Sequence, residues 1–160
     1  MLDALIHPLA FALALGSGLI AGAFFAFSSF VMGALERLPV PQSIAAMQSI
    51  NIVVINPVFL GVFVGTAVGA LLLAGLALLH LDAPGSLHAL AGGVLYIAGC
   101  FGVTIAGNVP LNNALAPLAP ESAEGAALWA RYLRGWVRWN HVRTLAALAA
   151  SAAFIGALRA

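Results

Sequence analysis

Apolar residues run almost unbroken through four stretches of the chain, near 6–35, 57–79, 88–107 and 142–158, and polar residues gather in the segments between them. A hydrocarbon core of ~30 Å needs about 20 apolar residues as helix, so each stretch predicts a membrane-crossing helix, the last being the shortest. Pro39 and Pro41 in "ERLPVPQ" stop the first helix. The segment "PQSIAAMQSIN" that follows puts Ile44, Met47, Gln48 and Asn51 on one face of a short helix lying along the membrane surface. Asn56-Pro57 opens the second span, where Gly61, Gly65 and Gly69 recur four apart, a spacing that lets membrane helices approach closely. The short turn "HLDAPGSLH" makes spans two and three an antiparallel pair, and "GNVPLNN" closes the third. A last helix begins near 121 and continues to the end of the chain. The expected architecture is all-α: an integral membrane four-helix bundle, with a short interfacial helix between helices one and two, forming one domain over residues 1–160.

Composition agrees with this pattern. The chain is 63% hydrophobic and 7% charged, against about a quarter charged in soluble proteins. No formal charge falls between Arg37 and Asp82. The first stretch does not read as a cleavable signal peptide, since it carries Asp3 where a basic segment belongs and its apolar run is too long. Net charge of +1 predicts no nucleic-acid partner, and membrane lipid is the expected surrounding. Arg37, Arg131, Arg134 and Arg138 lie on one side, with Arg143 just inside, and only Arg159 on the other. The positive-inside bias makes the arginine-rich side cytoplasmic. Both termini are then expected outside the cytoplasm, in an inner membrane of bacterial type.

The ends of helices one and three and the starts of two and four meet at that arginine-rich face, and the amide side chains all collect there. Gln48, Asn51, Asn56, Asn108, Asn112, Asn113 and Asn140 are among them, beside Trp136, Trp139, His141 and Arg143. Several have simpler explanations. Asn56 before Pro57 suits a helix N-cap, Asn108 before Pro110 suits a helix stop, and the tryptophans and outer arginines suit an interfacial belt against lipid headgroups. Arg143 fits those explanations less well, because an arginine inside a membrane helix costs a few kcal/mol unless it faces the bundle or water. At 100° per residue, Trp129, Tyr132, Trp136, Trp139, Asn140 and Arg143 share one face of the last helix, expected to point inward. Arg131, Arg134, Arg138 and His141 share the opposite one, so either Gly135 bends the helix, or His141 contacts a different neighbour, or His141 is not the base.

The stretches "GAFFAFSSFVMGAL", "MQSIN", "NPVF", "GVTIAGNVPLNNAL" and "WVRWNHVRT" together resemble the anthrone-oxygenase-like family of small four-helix membrane proteins. The resemblance runs in order from about Gly16 to Thr144. It implies oxidation of an anthrone to an anthraquinone with dioxygen. Carried over by motif, the candidate residues are Gln48, Asn51, Asn56, Asn108, Asn112, Trp139, Asn140, His141 and Arg143.

Such oxidation needs a base, donors for a developing oxyanion and a flat apolar slot. His141 is the expected base, with Asn108, Asn140 and Arg143 completing the catalytic set. Gln48, Asn51, Asn56, Asn112, Trp136 and Trp139 are the expected contacts to a hydrophobic small molecule entering from the membrane. No cofactor and no metal site is expected, because no histidine or carboxylate pair has ligand spacing. Haem or a metal held through His141 is one alternative. The other is a non-enzymatic subunit that binds a lipid, quinone or partner protein, in which the amides only join helices. A homo-oligomer through the Gly61, Gly65 and Gly69 face is compatible with either.

Overall fold

The computed structural model describes residues 3–160, with side chains from Ile6 onward, and these residues contain helices and no strand. Four helices are long and apolar enough to cross a membrane. We label α1 the helix of Asp3–Ala26, continued through a π-helical turn at Phe27–Val31 to Met32–Glu36. The short α2 covers Val40–Val53 and α3 covers Pro57–Leu79. Ser86–Leu115 forms α4 and Ala123–Arg159 forms α5.

The helix ends follow local chemistry. Asn56 caps α3, its Oδ1 accepting from the Val58 and Phe59 N–H groups at 3.1 and 3.0 Å. Ser122 caps α5 by accepting from Gly125 N at 3.0 Å. Gly85, at φ 78°, makes the turn between α3 and α4, a conformation that favours glycine. A Cβ there would also meet the Ala157 carbonyl at 2.7 Å.

The third span runs further than the expected 88–107. It carries two π-helical stretches, Leu95–Gly102 and Thr104–Asn108, and continues through Pro110 to Leu115. Pro110 sits where α-helical register restarts, a position at which a missing N–H is tolerated. The last span is likewise one uninterrupted helix from Ala123, so Gly135 does not break it.

α1 packs most extensively on α5, and α4 packs against both α3 and α5. Their shared core includes Leu13, Ile20, Phe24, Leu73, Tyr96, Ala147 and Phe154. A second cluster joins Met32, Leu35, Ile44, Met47, Leu115, Trp129, Tyr132 and Trp136, seating α2 across the ends of α1, α4 and α5. Ser43 on α2 ties back to α1 through the Leu35 carbonyl at 2.7 Å. The glycine row of α3 divides. Gly69 lies against Leu13, whereas Gly61 and Gly65 face open space.

Candidate active site

Between the two clusters lies a cavity of about 380 Å³, within the size range of small-molecule sites. Its apolar wall is aromatic. Phe63 stacks on Phe101 with ring centroids 5.2 Å apart and on Phe59 at 5.9 Å, and Phe24 meets Phe63 edge-on at 6.2 Å. Its polar wall comes from α4 and α5, where Thr104, Asn108 and Asn112 recur every four residues opposite Trp136 and Arg143. An outer hollow of about 620 Å³ abuts it, lined by Gln48 and Asn113 and sharing Asn51, Ile55, Val109 and Asn112. A further hollow of about 640 Å³ opens at the opposite end beside His7, His80 and Ser86. Among the described residues its wall contains no buried charged side chain.

Arg143 is the one charged residue lining the inner cavity, and it is 6% exposed. Its guanidinium carbon stands 3.8 Å from the Phe24 ring centroid and 4.9 Å from that of Trp136, a cation–π arrangement. Nε donates to Asn140 Oδ1 at 2.9 Å and one Nη1 hydrogen to Thr104 Oγ1 at 3.3 Å. Among the described residues no carboxylate pairs with it, and Nη2 has no protein acceptor. A buried cation held by neutral groups keeps its positive potential available to a ligand.

Asn140 is the bracket that fixes this arginine. Fully buried, it donates through Nδ2 to the Phe24 carbonyl at 2.8 Å and to Ser28 Oγ at 2.7 Å, while its Oδ1 takes the guanidinium. Ser28 lies in the π-helical turn of α1, a feature that often accompanies functional sites. Asn112 accepts from the Tyr132 hydroxyl at 2.8 Å and Trp136 Nε1 at 2.9 Å, so it orients the aromatic face of α5. Asn51 lines both hollows and lies against the same tyrosine hydroxyl.

The structure therefore brings Asn51, Asn108, Asn112, Trp136 and Arg143 to one cavity, with Asn140 directly behind Arg143. Four expected members are placed otherwise. His141 is exposed on the outer side of α5 and does not line the cavity, because the uninterrupted α-helix turns it away from Arg143, two residues on. Trp139 is 45% exposed and lies over Gly107, where a Cβ would come within 2.6 Å of its ring. Asn56 spends its side chain on the α3 cap and on the Val53 carbonyl. Gln48 borders the outer hollow, and its Nε2 is held by the Leu115 and Leu118 carbonyls, both at 2.9 Å, so it closes the end of α4.

Thr104 was not among the expected residues. A threonine inside an apolar helix ordinarily bonds back to its own turn, and Thr104 does so to the Cys100 carbonyl at 2.8 Å. Its place four residues before Asn108 was the available signal. No group of three or more His, Cys, Asp or Glu side chains comes together among the described residues. The donors and acceptors around the cavity are amides, a hydroxyl and a guanidinium, which suit hydrogen bonding to a ligand.

A family model for anthrone oxygenase matches residues 55–153, which include α3, α4 and the Asn140–Arg143 bracket. The chain belongs to the anthrone oxygenase family. No curated protein matches it. No solved structure matches it either. Family membership carries an oxygenase-like function at the level of the family. The matched segment contains the polar wall of the cavity and omits the α1 residues that complete it.

Proposed function

We propose that this protein is an integral membrane oxygenase that oxidises an enolisable fused-ring aromatic ketone with dioxygen, without a cofactor, in the cavity beneath Arg143. The observation that carries this reading is a buried guanidinium with no carboxylate partner among the described residues, lying against two aromatic rings at the edge of an apolar slot. Such a group is strongest toward an anion that forms next to it.

A fused-ring ketone whose CH₂ lies across the central ring from the carbonyl, between the same two aromatic rings, loses a proton from that carbon to give an enolate delocalised through those rings onto the ketone oxygen. Arg143 favours that loss by binding the ketone oxygen as it becomes negative, and Thr104 and Asn140 hold the guanidinium in place. The proton leaves to water in the outer hollow, past Asn51 and Asn112. His141 is not used, because it lies outside the cavity. The enolate gives one electron to dioxygen, and the resulting radical pair joins at the former CH₂ carbon as a peroxide anion. Protonation yields a hydroperoxide. Loss of the remaining hydrogen as a proton, with cleavage of the O–O bond, leaves a second ketone and one water. One dioxygen is consumed per quinone formed, and the substrate supplies all the electrons.

The Phe24, Phe59, Phe63 and Phe101 rings make a wall suited to a flat ligand dissolved in lipid. Four long apolar helices support a membrane location, and the exposed Arg131, Arg134 and Arg138 support placing the outer hollow at the cytoplasmic surface.

Isotopically heavy dioxygen tests the chemistry. Protein in lipid vesicles, supplied with an anthrone, is expected to place one heavy oxygen atom in the quinone and to do so equally well after treatment with a metal chelator. Quinone that forms at the protein-free rate, or only after a metal is restored, would overturn the proposal.

A further inference from the structure

The Asn108 carboxamide is 1% exposed and lines the inner cavity. Its Nδ2 donates to the Trp136 carbonyl at 3.1 Å. A carbonyl can only accept, so this bond settles which end of the amide faces α5. The other end, Oδ1, is buried without a hydrogen-bond partner in the protein, and it is the one such side-chain atom among the described residues. Native folds seldom leave a buried acceptor unmatched, because its lost hydration is not recovered. The neighbouring side-chain oxygens on this wall are matched: Thr104 Oγ1 by Cys100 and Arg143, Asn112 Oδ1 by Tyr132 and Trp136.

Asn108 follows Thr104 by one helical turn, and Thr104 receives Arg143, so the amide that carries the unmatched acceptor and the residue that carries the guanidinium line one cavity. Arginine offers donors only, and this amide oxygen offers acceptance only. A ligand complementary to both carries an oxygen that accepts from Arg143 and, elsewhere on its ring system, a group that donates.

We infer that Asn108 is a specificity-determining residue that accepts a hydrogen bond from a hydroxyl on the ligand's aromatic rings. The inference rests on the cavity being the ligand site of the proposed oxygenase, and it specifies which ring compounds that site prefers. Removing the hydroxyl proton by methylation has the same effect as removing the hydroxyl, since an ether cannot donate. A pocket that wanted only bulk or polarity at this position would treat the ether and the hydroxyl alike.

Binding is read from quenching of tryptophan fluorescence, with Trp136 in the cavity wall, using anthraquinone, its monohydroxy isomers and their methyl ethers as probes. At least one monohydroxy isomer is expected to bind about tenfold more tightly than both the parent and its own ether, the worth of one buried hydrogen bond. In Asn108→Leu the three classes are expected to bind alike, and Tm is expected not to fall, because the unmatched acceptor is gone. Equal binding of all three classes by the wild-type protein would overturn the inference. So would an Asn108→Leu protein that has a lower Tm and weakens every probe by the same factor, the result of a purely structural amide. Discrimination by the wild type together with no oxygen uptake leaves Asn108 standing and removes the oxygenase reading. A protein quenched by none of the probes removes both.

Discussion

Asn140 and His141 are adjacent in sequence and lie on opposite sides of α5, and the contrast separates positioning from mere proximity. Asn140 makes three hydrogen bonds to groups on α1 and to Arg143, each partner buried or nearly so. Asn140→Ala removes one donor from the Phe24 carbonyl and the acceptor of Arg143 Nε, leaving the guanidinium only Thr104, and a loss of about 2–3 kcal/mol is expected in unfolding measured in mixed micelles. His141 faces outward from the bundle. His141→Ala is expected to leave oxygen uptake unchanged, and a large loss on that substitution would show the imidazole taking part. Of the inward face read from the sequence, Trp129, Tyr132, Trp136, Asn140 and Arg143 are buried and Trp139 is not, because helical periodicity fixes the side of the helix but not how far the neighbouring helices reach round it. The job of each amide was not legible. Whether an asparagine caps a helix, brackets a neighbour or lines a cavity depends on which backbone carbonyls lie nearby, as Asn56, Asn140 and Asn108 show in turn.

At the scale of the helices, the spans themselves follow from hydropathy and length, and α3 matches its expected range residue for residue. The end of α4 does not. A sequence reading stops at Gly107-Asn108 with Pro110 following, but π-helical stretches absorb the irregularity and carry the helix on to Leu115. That extension matters for the site, because it keeps Thr104, Asn108 and Asn112 on one continuous wall. The glycine row of α3 was a similar case. Close approach between α3 and α4 occurs at Gly93, where a Cβ would lie 2.6 Å from Ala74 Cβ and 3.0 Å from the Ala70 carbonyl. Gly93→Ala is expected to cost about 1–3 kcal/mol by wedging the two helices apart. Gly61→Ala, which meets open space, is expected to be neutral or slightly stabilising. Equal effects from the two would contradict the packing described.

For the whole molecule, the aromatic slot, the polar wall and the outer hollow draw on every helix, so no single segment constitutes the site. The cavity opens beside exposed apolar residues of α3 and α4, including Val64 at 41% and Ile105 at 55% exposure. Under the proposed function, a ligand dissolved in the bilayer would meet this apolar surface before it meets Arg143. At the centre of this arrangement is one buried cation whose neutral neighbours hold it without cancelling it. Removing that charge spares the fold a desolvation cost, so Arg143→Met is expected to keep or raise Tm. The decisive measurement is oxygen uptake by the purified protein in lipid vesicles, titrated with an anthrone. The expected result is saturable uptake above the protein-free rate that falls about 10²–10³-fold in Arg143→Met while Tm is maintained. Undiminished uptake by a folded Arg143→Met protein would contradict the central role given to this guanidinium.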